Sequence, residues 1–595
     1  MLCFFAFILS TFAATAYSKI YSVVSELPED VNYDFIIVGG GTAGCVLANR
    51  LSANPRVNVL VIEAGSTPDS ALNVEVPFFA PFLKGTTFDW NFTSVAQPSL
   101  NNRTVYYERG HTLGGSSVVN LLAFNRGSND FWDHWATLTN DSQWSWENIE
   151  PYYMRTSQLA DPHSGLIPSA HGDGPVLVST PGFETILNEP VIDTAKLIGG
   201  RFSFQTDWNA GNFTGIGYYQ GAIGNGQRSD AASAYMPSSI ANRKNLDILL
   251  NTRVTQLIQT DKVSGKPAFL GVKFGTNPSD LHTLTASAEV ILSAGVFGTA
   301  QILMLSGIGP SAELQRLGIT PLVDAPQVGG NLTDHPLLPN YFQIDGTTTT
   351  FDPLIANLTT RAIALAEWNS TRTGRLVDAN AVALGFLRLP EASPALRPYG
   401  DPSSGPLSAH IELLFADGFS AVSSLAHPTD GTYITVLTAV VSPLSRGSMT
   451  LASSDPFAAP IIDTQLLSHP FDQAAMAQAM LDAETLLASP LLAIFNPSPY
   501  GTLQGATTFD SRVAYARNLT ASLNHPVGTA AMSPTSASWG VLDSNLLVKK
   551  VSGLRVVDAS AFPAIPECHP QAVVYTLAER AATIIEETWQ AKYDY

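Results

Sequence analysis

The stretch from Tyr33 to Ala64 constrains the fold of this chain more than any other. Phe35 to Val38 is a short apolar run, Gly39, Gly41 and Gly44 stand in GxGxxG spacing, and Thr42 to Leu51 has helical composition. Val57 to Ile62 is a second apolar run that ends at Glu63. Strand, tight turn, helix and strand in that order predict the start of a Rossmann-like α/β sheet that binds a dinucleotide. Gly39 permits the turn, Gly41 lets the backbone approach a pyrophosphate, and Gly44 lets the helix lie close to the sheet. Thr42 and Ala43 open the helix, where free N–H groups and the dipole favour phosphate. Glu63 is placed to accept hydrogen bonds from both ribose hydroxyls of an adenosine, and it would repel a 2′-phosphate. The motif alone does not separate FAD from NAD.

At 595 residues the chain exceeds one compact core, so two or more domains are expected. Charged residues make up only 14% against 45% hydrophobic, a balance that argues against extensive disorder. The formal charge of −19 argues against nucleic acid and anionic membrane surfaces as partners. Residues 1–16 read as a secretory signal peptide, with an apolar run from Leu2 to Leu9 and small residues at Ala14-Thr15-Ala16. No later segment reads as transmembrane. Removal of the leader takes Cys3 with it, and Cys45 and Cys568 are expected to be free and buried. Sequons at Asn91, Asn102, Asn140, Asn212, Asn331, Asn357, Asn369 and Asn518 fit an extracellular glycoprotein.

Downstream, Arg109-Gly110-His111-Thr112-Leu113-Gly114-Gly115-Ser116-Ser117-Val118-Val119-Asn120 combines free backbone with hydroxyls and N–H donors. This segment resembles the first signature of the glucose-methanol-choline (GMC) oxidoreductases, a family of FAD-dependent alcohol and sugar oxidoreductases. Gly295 to Gly309 resembles the second signature, and Asn524-His525-Pro526-Val527-Gly528-Thr529 with Gly553 to Ser560 resembles the C-terminal module. The resemblance runs from about Tyr33 to the end of the chain. It implies a mixed α/β fold with a discontinuous FAD-binding domain, residues 31–130, 240–335 and 526–595. Residues 131–239 and 336–525 would then form a substrate domain with an antiparallel sheet.

Oxidising an alcohol with a flavin requires a base for the hydroxyl proton and a site that orients the carbinol carbon at the acceptor. Histidine suits the base, because its ordinary pKa leaves it largely neutral at mild pH. His525 and His569 stand where the family carries its active-site pair, so the resemblance implies His525 as base and His569 as partner to the substrate hydroxyl. Neither carries a metal-binding signature. The resemblance also implies FAD contacts from Gly114, Ser117, Asn120, Val254, Ala294, Gly295, Asp558 and Gln571, though Asp558 could equally start a helix. Relatives with covalent FAD have a histidine where this chain has Val119, so the FAD is expected to be non-covalent. His111 stands where the signature usually has Arg or Lys, and either a phosphate contact or structural use would account for it.

The histidine pair resembles that of glucose oxidase, aryl-alcohol oxidase and pyranose dehydrogenase, and the longer matches at Asn225 to Ser229, Asp334 to Pro339 and Ala537 to Val541 favour the aryl-alcohol oxidase branch. The expected function is a secreted oxidase of primary benzylic or allylic alcohols that releases H2O2. The alternative is a sugar or alcohol dehydrogenase using quinones, and the oligomeric state is left open. Two positions depart from that branch: Asn524 replaces a phenylalanine, and Leu121 stands where an aromatic gate would lie. Phe415 and Phe419 fit a pocket lining or a core, and Glu412 fits the active site or a solvated strand face.

Overall fold

The computed structural model describes residues 19–28, 30–161, 165–346, 349–422 and 425–593. The expected leader lies outside them. Two sheets organise the described chain. The first contains β1 (Ile20–Tyr21), β2 (Phe35–Val38), β3 (Val59–Ile62), β4 (Leu246–Leu249), β5 (Glu289–Leu292) and β6 (Leu554–Val556). Their spatial order is β1-β4-β3-β2-β5-β6, and every neighbouring pair is parallel. Strands β2 to β5 are buried at every position, which explains why they read as continuous apolar runs rather than alternating ones.

Helix α1 (Thr42–Leu51) joins β2 to β3 as the glycine spacing predicted. The second strand starts at Val59 rather than Val57, because the Val57 N–H closes a turn on the Asn54 carbonyl. Helix α2 (Gly295–Leu305) follows β5, and α3 (Gln571–Tyr593) follows β6. Helices α1 and α3 pack together, and the Arg50 guanidinium forks onto the buried Glu579 carboxylate at 2.7 and 2.9 Å. The edge strand β1 has no sequence signal, since two residues carry no periodicity. It is held by Asp247, which accepts hydrogen bonds from Lys19, Tyr21 and Tyr33 at 2.8 to 3.2 Å.

The second sheet is antiparallel throughout and has seven strands. Its path runs Ser498–Pro499, Pro336–Gln343, Tyr433–Val440, Ile411–Ala416, Ala381–Leu387 and Gly215–Tyr218, and Ala521–Ser522 also pairs with Pro336–Gln343. The helix Pro470–Leu487 lies against it, with the Thr438 hydroxyl reaching Met476 Sδ at 3.4 Å. That helix begins at Pro470 because His469 caps it, its Nδ1 accepting from the Phe471 N–H at 3.1 Å. Among the described residues no helix is long and apolar enough to cross a membrane.

Candidate active site

A cavity of about 510 Å³ lies between the carboxyl ends of the parallel strands and one face of the antiparallel sheet. Gly39, Gly41, Thr42, Ala43, Glu63, Ser117, Asn120, Val254, Ala294, Gly295, Asp558 and Gln571 all line it, together with His525 and His569. Gly44 and Gly114 lie behind the wall and shape it. A Cβ on Gly44 would sit 2.0 Å from the Gly39 carbonyl oxygen, and the Gly114 N–H donates to the Gly40 carbonyl at 2.7 Å. Gly41 is different. A Cβ there would meet its nearest protein atom at 3.7 Å, so packing does not require glycine, and its bare backbone leaves clearance for a ligand.

Glu63 ends β3 with its carboxylate between two backbone donors, Gly40 N–H and Gly65 N–H, each at 2.8 Å. Burial pushes its pKa up to about 7, against the pull of those donors. Each oxygen retains a lone pair for a ribose hydroxyl. Asp558 starts a helix, one of the two parts that the sequence left open, and also lines the cavity. One oxygen caps the short helix Ala559–Ala561 through the Ser560 N–H at 2.8 Å. The other accepts from the Gly295 N–H at 3.0 Å and the Thr299 hydroxyl at 2.6 Å, fixing the N-terminus of α2 at the cavity wall. Asn120 and Gln571 hold each other at 2.7 Å, and the buried Arg228 guanidinium braces Asn120 Oδ1 at 2.9 Å. The Ser117 hydroxyl is turned to the Gly114 carbonyl, 2.7 Å away. His111 is off the wall, packed on Trp90 with 4.3 Å between ring centroids, which is the structural use. The cleared backbone at Gly41, the α1 N-terminus and the Glu63 carboxylate fit a dinucleotide.

At the far end of the groove His525 and His569 face each other with ring centroids 4.8 Å apart. Two groups that the sequence reading did not assign support them. His335 is fully buried with its Nδ1 3.0 Å from His525 Nδ1. Asp334 gathers both backbones, accepting from the N–H groups of His335 at 2.8 Å and His525 at 2.9 Å, and its other oxygen takes the hydroxyls of Tyr107 and Ser522. The only sequence signal for His335 was its place in the Asp334 to Pro339 match. Glu412 is fully buried rather than on a solvated face, and its Oε1 lies 2.7 Å from His569 Nε2.

Burial holds His525 well below the usual histidine range, reinforced by the neighbouring His569, His335 and Arg109. Burial likewise pushes His335 down to about 3, reinforced by the neighbouring His569, and its Nε2 is buried without a hydrogen-bond partner. On the side of the antiparallel sheet the wall is mostly apolar, with Leu337, Ala381, Leu414, Ala416 and Leu437, interrupted by Asn380. Phe419 lines the cavity and stacks on Tyr341 at 4.0 Å, whereas Phe415 packs into the core. Leu121 stands partly exposed on the wall. Asn524 has a left-handed backbone, a conformation Asn adopts more readily than most residues, and its Oδ1 accepts from the Glu108 N–H at 3.1 Å. Cys45 and Cys568 are free and buried, and no metal-binding cluster occurs among the described residues.

Two family models for GMC oxidoreductases match residues 33–337 and 443–578. The chain is 37% identical to pyranose dehydrogenase 3 of Leucoagaricus meleagris, covering 96% of this chain and 95% of that one. Among solved structures, a formate oxidase variant from Aspergillus oryzae superposes with a TM-score of 0.86 at 28% identity, covering 94% of this chain and 99% of the other. A fungal aryl-alcohol oxidase superposes with a TM-score of 0.79 at 27% identity over the same shares.

Proposed function

We propose a function for this site on the premise that the chain belongs to the GMC oxidoreductase family, FAD-binding enzymes that act on alcohol or sugar donors. The chain oxidises primary alcohols with an aromatic or allylic substituent to aldehydes, and O2 is the terminal acceptor, released as H2O2. The observation that carries this reading is the mostly apolar wall that the antiparallel sheet gives the cavity, which suits a ring or an alkene better than a polyhydroxylated sugar. FAD, when bound, supplies the two-electron acceptor for the carbinol C–H. It is held without a covalent bond, since Val119 offers no nucleophile on the wall.

The protein moves the proton. His525 is neutral across ordinary pH, so its ring is ready to accept the hydroxyl proton. Its Nδ1 is engaged with His335, which leaves Nε2 for the substrate. With His525 Nδ1–H as the donor and His335 Nδ1 as the acceptor, His525 Nε2 is left bare to take the hydroxyl proton. His569, tied to Glu412, flanks the same hydroxyl and fixes its direction.

Under argon, p-methoxybenzyl alcohol should bleach the yellow flavin of the native protein. Replacing His525 with Ala should slow that step far more than it weakens FAD binding, and normal reduction in the variant would remove His525 from the role. The 37% identity to a pyranose dehydrogenase favours a second reading, sugar oxidation with a quinone acceptor. Turnover of benzylic alcohols and pyranoses with O2 and with benzoquinone separates the two.

Residues 31–130, 240–335 and 526–595 are assigned to the FAD-binding domain and residues 131–239 and 336–525 to the substrate domain. Secretion and glycosylation belong to the same reading. The eight sequon asparagines are all exposed, as glycan attachment requires.

A further inference from the structure

Asn524 carries a polar group that the oxidation does not use. It lines the cavity next to the base His525 and is partly exposed there. Its amide is held one way round. Oδ1 accepts from the Glu108 N–H at 3.1 Å, and a flipped amide would set N–H groups against that donor. The Asn524 backbone is fixed as well, by its own N–H on the Ser522 hydroxyl at 2.7 Å and by its left-handed conformation. Nδ2 therefore points away from the Glu108 N–H with two donors of its own. Among the described residues no acceptor takes either of them, and Nδ2 keeps open surface, unlike the orphaned buried atoms elsewhere in the molecule.

The surroundings decide what this donor can take. Leu523 and Pro526, which line the cavity beside Asn524 and His525, have no acceptor in their side chains. The Glu108 carboxyl is also on the wall and makes no bond to Nδ2. Arg109 and Glu108 bring opposite charges to the same stretch of wall, so the partner that fits is a neutral oxygen rather than an anion. Asn524 and His525 are consecutive, with Cα atoms about 3.8 Å apart, which lets donor and base engage one bound molecule.

We propose that Asn524 determines specificity by donating a hydrogen bond from Nδ2 to an ether or hydroxyl oxygen on the ring of an alcohol whose carbinol lies at His525. The inference rests on the alcohol-oxidising reading and narrows it. Aromatic alcohols bearing a ring oxygen are preferred over alkyl-substituted counterparts of the same shape. The bond to Glu108 holds the amide in place beforehand, so little freedom is lost when the substrate arrives.

The test measures kcat/KM for 2-, 3- and 4-methoxybenzyl alcohol, each against the ethylbenzyl alcohol substituted at the same position, on the holoenzyme and on two variants. Asn524→Asp keeps a residue suited to the left-handed backbone and keeps the acceptor for the Glu108 N–H, but turns an acceptor instead of a donor to the substrate. Asn524→Gly keeps the backbone and removes the side chain. The quantity read is the methoxy-to-ethyl ratio, in which ring electronics and any change at His525 cancel between proteins. At one ring position the ratio should fall roughly 2- to 12-fold in both variants. A ratio unchanged at all three positions overturns the role of Asn524 while leaving the oxidation intact. Weaker FAD binding with an unchanged ratio overturns it too, and gives the amide to the cofactor. If none of these alcohols reduces the native flavin, the alcohol-oxidising reading fails and this inference fails with it.

Discussion

Replacing His335 with Leu should slow alcohol oxidation without emptying the cofactor site. His335 is fully buried, lies 3.0 Å from His525 through Nδ1, and does not line the cavity. Leucine keeps the bulk and removes the acceptor. The Nδ1–H of His525 then has nowhere to donate, and a buried unpaired donor costs about 1–3 kcal/mol. His525 avoids that cost by moving its proton to Nε2, which spoils it as a base. The penalty on the productive form translates into roughly a 5- to 150-fold fall in rate. The assay is anaerobic flavin bleaching against alcohol concentration. The limiting rate should drop while the concentration for half-saturation changes little, because the lost contact is to the base and not to the substrate. His335→Asn restores an oxygen close to where Nδ1 stood and should recover most of the rate. If Leu and Asn variants of equal thermal stability are equally slow, or if the Leu variant reduces at the native rate, His335 does not set the tautomer of His525.

Gly41→Ala should fold with an unchanged apoprotein Tm but bind FAD at least about 10-fold more weakly, because its Cβ meets the ligand's space and not the protein. Gly44→Ala should lower both, since its Cβ collides with the Gly39 carbonyl; equal behaviour of the two would undo the distinction. Glu567 is buried with Oε2 unpartnered, and burial pushes its pKa up to about 7. A raised carboxyl pKa contributes stability below its unfolded value that is lost as pH rises through the folded one. The native protein should therefore lose Tm relative to Glu567→Gln between about pH 5 and about pH 8, and a constant difference would argue against a buried charge there.

The parts of the site legible in the sequence are those with local rules. The glycine spacing fixed β2, α1 and β3 because turn geometry and close approach demand glycine at set offsets. His525 and His569 were found through motif context, and the fold then brought them face to face. What the sequence hid depends on distant partners. Glu412 belongs to an all-buried strand with no alternation to tell its faces apart, and only the contact with His569 gives it a role. His335 needs the pairing of Pro336–Gln343 with Ala521–Ser522 to come near His525.

The Asp558 carboxylate has a consequence for the order of events during synthesis. The glycine turn at Gly39 emerges from the ribosome early, yet the wall it faces is pinned at Gly295 by Asp558, much further along the chain. The first long helix also waits for the last, because Arg50 finds its carboxylate at Glu579. A nascent chain that has not reached Asp558 holds an incomplete cradle, so tight FAD capture has to follow synthesis of that residue. Newly made protein stalled before Asp558 would emerge colourless, and colour would report that the two ends of the polypeptide had met.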